Sequence, residues 1–143
     1  MSKGNTFEND LMKLVFQATA IANLAVNAAT SPNTNLYVSL HTADVGEAGD
    51  QTATEANYTG YARVAVARSN AGWTVTDNSV TNAAAITFPQ CTGGTNTISH
   101  FAVGTASTGA GKVLYKGALT ASLAVSNLII PEFAPGTLTI SED

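Results

Sequence analysis

Few side chains in this 143-residue chain could do chemistry: two histidines, one cysteine and a run of acids. A catalytic or structural zinc site takes three or four ligands. His41 and His100 would therefore need a carboxylate, and Asp44 could share a site with His41. That spacing is generic, and each imidazole reads as a strand-end hydrogen-bonding group. Cys91 reads as a buried thiol, because a reactive thiolate wants a neighbouring cation or imidazole; His100 is near it in sequence. Asp44, Glu47 and Asp50 fall at three-residue intervals, with Glu55 beyond them. Such acids could face a hard cation such as calcium. An EF-hand loop alternates its oxygens more tightly and closes on a glutamate, so these acids read as a solvated loop.

Other signatures fail on particular residues. Gly111-Lys112 looks like the end of a phosphate-binding loop, but Ala106 stands where its first glycine belongs and Val113 where Ser or Thr belongs. There is no Gly-x-Ser-x-Gly elbow, and no pair of carboxylates on neighbouring strand positions to suggest glycoside hydrolysis. Asn57-Tyr58-Thr59 matches a glycosylation acceptor, which matters only on a secretory route. The expectation is a protein that is not an enzyme and has no catalytic residue, cofactor or metal.

Composition says what kind of surface these residues sit on. Charged residues make up 11% of the chain, against about 25% in an ordinary soluble domain. The polar surface must come from Ser, Asn and 20 Thr, and β-branched Thr suits half-exposed strands. Four Lys and two Arg are scattered through a chain of net charge −4. A nucleic-acid groove needs clustered cations, so no nucleic-acid partner is expected. One cysteine forbids an internal disulfide. No run of about 18 apolar residues exists, so no membrane partner is expected. The first residues lack a basic region followed by an apolar core, which points to assembly in the cytoplasm.

The elements that must position these groups are short strands. Asn35–Thr42 alternates, with Leu36, Val38 and Leu40 opposite Tyr37, Ser39 and His41. The stretch from Gly60 to Ser69 alternates again. Between them, 43–59 is too long for a tight hairpin and carries all four acids; a loop of that length is usually functional or mobile. Further strands are expected at 73–76, near Val80, at 84–88, 98–105, 112–119, 123–130 and 136–141. Trp73 reads as a core anchor, and the apolar 123–130 as central in a sheet or at an interface. Phe7, Leu11, Leu14, Ala18, Ile21 and Ala25 share one helical face, so a helix should run from Thr6 and fade over Asn27 to Thr30. The whole reads as one mainly β domain: an arm and helix over 1–30, and over 31–143 a jelly-roll-like antiparallel β-sandwich of eight or nine short strands. An immunoglobulin-like sandwich is the competitor, but its Cys–Trp–Cys signature is absent.

LYVSLHTADVGEAGD, YTGYARVAVARS, GWTV and HFAVGT, in that order behind SKGNTFENDLMKLVF, resemble a family of small virion proteins of tailed bacteriophages and prophages, among them the capsid cement proteins of short-tailed phages. The resemblance covers most of the chain and brings no catalytic residues. It implies a jelly-roll-like homodimer on the capsid exterior, binding the major capsid protein and bridging capsomers. Candidate contacts are Phe7, Leu11, Leu14 and Phe16 in the N-terminal segment and the loop acids Asp44, Glu47, Asp50 and Glu55. On this reading, removal of residues 1–16 leaves a folded sandwich that no longer attaches to shells. The alternative is a trimeric tail or tail-fibre component with a host glycan as ligand, stacked on Tyr58 and Tyr61.

Overall fold

The computed structural model describes residues 3–26 and 31–142. Its elements are α1 (Asn5–Gln17), β1 (Asn35–His41), β2 (Val64–Ala67), β3 (Trp73–Thr76), β4 (Ser79–Asn82), β5 (Ile86–Thr87), β6 (Asn96–Gly104), β7 (Val113–Val125), β8 (Glu132–Phe133) and β9 (Thr139–Ser141). The chain is mainly β, with nine strands and one N-terminal helix among the described residues, of the sandwich-like class expected and not a closed barrel. The strands form three antiparallel sheets, ordered β2-β1-β6-β7, β3-β4-β9 and β5-β8. By Cα proximity the chain divides into two compact units. The first comprises Met1–Asn35, Val66–Ile86 and Phe133–Asp143; the second comprises Leu36–Ala65 and Thr87–Glu132.

The first unit is built on apolar packing between α1 and the hairpin of β3 and β4. Glu8, Met12 and Phe16 are the buried helix residues, one turn apart. This is a different face from the stripe of Phe7, Leu11 and Leu14: Phe7 is 40% exposed, and Leu11 and Leu14 are half-buried. Both stripes satisfy a 3.6-residue period, and Trp73 decides between them. The Phe16 and Trp73 rings meet edge to face with centroids 4.8 Å apart, a favoured aromatic geometry. Trp73, Phe16 and Met12 are each fully buried.

The helix is also shorter than its apolar pattern predicts. Ala18 turns left-handed at φ 55, and the Thr19 amide donates back to the Lys13 carbonyl, closing the last turn. Ile21 and Ala25 then close a short bridged turn instead of extending the helix. The expected fade over Asn27 to Thr30 lies outside the described residues. Arg68 caps the helix end, donating from Nε to the Val15 carbonyl (2.7 Å) and from Nη2 to the Leu14 carbonyl (2.9 Å). These are carbonyls with no partner in the helix, and a cation suits that negative end. In the same unit Asn82, 1% exposed, holds the return from β8 to β9. Its Nδ2 donates to the Ala84 and Ala134 carbonyls, and its Oδ1 accepts from the Leu138 amide.

The second unit is a sheet with a long loop. β1 and β6 are antiparallel, in a register from Tyr37↔Gly104 to His41↔His100. Alternation put Leu36, Val38 and Leu40 on one face and Phe101 and Val103 on one face, and all are buried; Ile98, of the opposite parity to Phe101, is buried too because the register shifts between it and His100. The strands expected at 112–119 and 123–130 are one strand through Val125. His100 pairs Ala118 and Ile98 pairs Leu123, so Ser99 alone faces Leu119 to Ser122, an outward bulge in place of a turn. β7 ends the sheet order, so this segment is an edge and not central. Leu123, Leu128, Ile129 and Ile130 are 37–68% exposed. Tyr61 to Arg63, expected in a strand, lie in the loop before β2, because their side chains are used to close it.

Candidate functional site

The loop between β1 and β2 is held from inside by polar groups that periodicity does not reveal. Arg63 forks onto Glu55: Nε donates to Oε1 at 2.6 Å and Nη2 to Oε2 at 2.8 Å. The Arg63 side chain is 2% exposed and that of Glu55 17%. The same guanidinium donates to the carbonyls of Ala106 and Gly109, tying the Ala106–Gly111 turn to the loop. The Tyr61 hydroxyl donates to Glu55 Oε1 and accepts from the Leu40 amide, each at 3.0 Å. A planar bidentate pair of this kind fixes direction as well as distance. Hydrogen bonding to Glu55 holds the Arg63 guanidinium above its ordinary value, and burial pushes the Tyr61 phenol well up.

Gln51 is the second internal clamp. It is fully buried; Nε2 donates to the Tyr37 carbonyl at 3.2 Å and Oε1 accepts from the Ala106 amide at 3.1 Å. Its backbone amide donates to the Gly111 carbonyl. The amide lies flat against Gly104 and Gly111, where a Cβ on either would overlap it. The two glycines are therefore required by close approach.

His41 is the third clamp and is also fully buried. Its Nδ1 lies 2.8 Å from the Ala53 carbonyl and its Nε2 2.8 Å from Ser39 Oγ. A carbonyl only accepts, so Nδ1 carries the proton and Nε2 accepts from the serine. Burial holds the His41 imidazole below its ordinary value. The other histidine, His100, sits opposite it on β6 with Nδ1 2.9 Å from Ser99 Oγ.

The sequence-predicted residues fall into three groups. Asp44 and Glu47 stand at the surface, both paired with Lys116 Nζ, at 2.8 and 3.1 Å. The Lys116 ammonium holds the Asp44 carboxyl below its usual range. Asp50 caps its own turn, accepting from the Thr52 amide and hydroxyl; those bonds, the hydroxyl's first, lower its carboxyl too. Glu55 belongs to the buried fork. Among the described residues no three of the His, Cys, Asp and Glu groups are placed to hold a metal ion.

The aromatics differ from expectation. Tyr58 is 3% exposed, its hydroxyl donating to the Pro89 carbonyl, and burial pushes its phenol up to about 12. Tyr61 stacks parallel to Phe88 at 6.4 Å and meets Tyr58 edge to face at 5.3 Å. Tyr58 is buried and Tyr61 half-buried, so Tyr58 offers no open face for a sugar to stack on. Phe16 is core as well, while Phe7 is open and Leu11 and Leu14 are half-covered. Met12 and Phe16 are part of the interior, so a chain lacking residues 1–16 would lose buried packing from the first unit.

The apolar 123–130, read in the sequence as central or at an interface, is exposed at Leu123, Leu128, Ile129 and Ile130. Leu128 is 68% exposed with φ at 74, a left-handed conformation that favours glycine and costs a bulky residue about 1 kcal/mol. The segment is pinned rather than loose. The Leu128 amide donates to the Cys91 carbonyl and the Cys91 amide to the Ile129 carbonyl. The signal available was the apolar run itself, which fits an interior strand equally well.

These elements define a β scaffold that holds its connections rigid with buried polar clamps, the class of domain that presents loops. Among the described residues no helix is long and apolar enough to cross a membrane. The chain belongs to the family described as podophage GP4 fiber I protein gp80, whose model matches residues 3–141. It is a structural protein of a short-tailed bacteriophage virion. No curated protein matches it.

Proposed function

We propose that this chain is a tail or tail-fibre component of the phage particle, acting by contact with neighbouring proteins and not by catalysis. The observation that carries this reading is the match of nearly the whole chain to a fiber I family. The surface that fits such a role is the loop from Ala43 to Thr59. The Glu55–Arg63 fork, Gln51 and His41 fix the loop before any partner arrives, so binding needs little further ordering. Repetition around a particle multiplies weak contacts of this kind.

The rival is the capsid cement role, in which a homodimer binds the major capsid protein and bridges capsomers outside the shell. Gold-labelled antibodies against the purified chain separate the two on intact particles. Label at the tail supports the fibre reading. Label spread evenly over the shell overturns it in favour of the cement role. The mass of the purified oligomer gives a second test, with a trimer expected for the fibre reading and a dimer for the cement.

A further inference from the structure

Both histidines of the chain sit at the base of the long loop between β1 and β2, where β1 and β6 pair, and each touches a serine. His41 Nδ1–H donates to the Ala53 carbonyl at the far end of the loop, and its Nε2 accepts from Ser39. Ser99 donates to the Thr42 carbonyl at the near end (2.9 Å) while accepting from His100 Nδ1. The loop is thus tied at both ends, Thr42 and Ala53, by a serine–histidine pair from each of two neighbouring strands. We propose that this arrangement is an acid-sensitive clasp: the loop is held closed while His41 is neutral and opens when His41 takes up a proton.

The two pairs respond differently to a proton. His100 already donates from Nδ1, so a second proton leaves its bond to Ser99 intact. His41 accepts at Nε2, so a proton there forces the Ser39 hydroxyl to turn. The acceptor left for that hydroxyl is the Ala102 carbonyl at 3.4 Å, a long contact. The charged ring would also lie buried beside the Arg63 guanidinium and His100, with Glu55 the one opposing charge. Burial of an ion so placed is costly. Ala53 and its loop cover the ring on one side, so opening the loop hydrates the ring.

The sign follows from linkage. The closed form holds the His41 imidazole below its ordinary 6.5, so the open form binds the proton more tightly. Closure is then at full strength above about pH 6.5 and weakens as pH falls from there toward the depressed value.

Amide hydrogen exchange on the intact protein reads this without any partner, so its outcome is independent of where the chain sits in the virion. The reporters are the amides of Thr42, Gln51 and Ala56, bonded to Thr54, Gly111 and Leu40 respectively. Their protection factors, relative to those of β6, should fall about tenfold between about pH 7.5 and about pH 5. His41→Gln removes the titration, so its protection should not change with pH. His100→Gln should behave as the parent. Unchanged protection in the parent, or the same fall in His41→Gln, overturns the proposal. Should His41→Gln not fold, the imidazole signals of the parent decide. Titration of His41 below 6.5 together with loop exchange supports the clasp; titration at or above that value with the loop closed refutes it.

Discussion

The two units of this chain are stitched by opposite chemistry. In the first, α1 is fastened to β3 and β4 by Met12, Phe16 and Trp73, all without exposure, and Trp73 Nε1 has no hydrogen-bond partner among the described residues. In the second, the loop after β1 is fastened by a carboxylate–guanidinium fork, a buried amide and a buried imidazole. Apolar packing is non-directional and follows area. It can hold a helix of many sequences provided the volume is right. Hydrogen bonds and charge pairs fix one geometry and lose much of their value when a partner is removed. A unit that needs only cohesion can use the first kind. A loop that must keep one shape in water needs the second.

Substitutions at the two kinds of joint should separate them, and the largest effect belongs to the apolar one. Phe16→Ala removes the ring that meets Trp73 and should destabilise by about 3–5 kcal/mol in urea unfolding. Removing residues 1–16 should leave no cooperative transition in the first unit. If Phe16→Ala unfolds as the parent does, the helix is not part of the core.

Next comes the polar fork. Arg63→Met leaves Glu55 without its cation and frees the Ala106 and Gly109 carbonyls. It should cost about 2–3 kcal/mol and raise exchange at 105–111 more than in β3. Adding Glu55→Gln should cost less than the sum of the two single changes, because they share one interaction. Additive effects would mean that the fork is not a unit.

Arg68→Met should cost about 1–2 kcal/mol through the helix end, with faster exchange confined to the last turn of α1. The smallest effect is at the surface. Asp44→Asn breaks one arm of the Lys116 cluster and should leave Tm unchanged at physiological salt, because exposed pairs contribute little.

The same contrast explains what could be read in advance. β1, β3 and β6 were legible within a residue or two because alternation is local, and Trp73 is the anchor its size suggests. The helix was legible as a helix, but not its buried face or its end. Its apolar residues fit two stripes, and the choice was made by Trp73, which lies far along the chain. β7 was divided in two because a four-residue bulge opposite Ser99 looks like a turn in sequence. At the candidate site, Asp44, Glu47, Asp50 and Glu55 were flagged as one acidic loop, yet Glu55 alone turned inward. Its partner Arg63 is eight residues away across irregular backbone, and no period links them. Tyr58 and Tyr61 were read as exposed because loops lie at the surface; Tyr58 is covered and Tyr61 half-covered because this loop folds back on Phe88 and Pro89.

The central claim is that this stiffly clasped β protein works in the tail of the particle. A density map of intact virions tests it most directly. The account predicts density matching the β1-β6-β7 sheet and its loop in the tail or its fibres, against another virion protein. The same density lying over the capsid shell, with none at the tail, would contradict it.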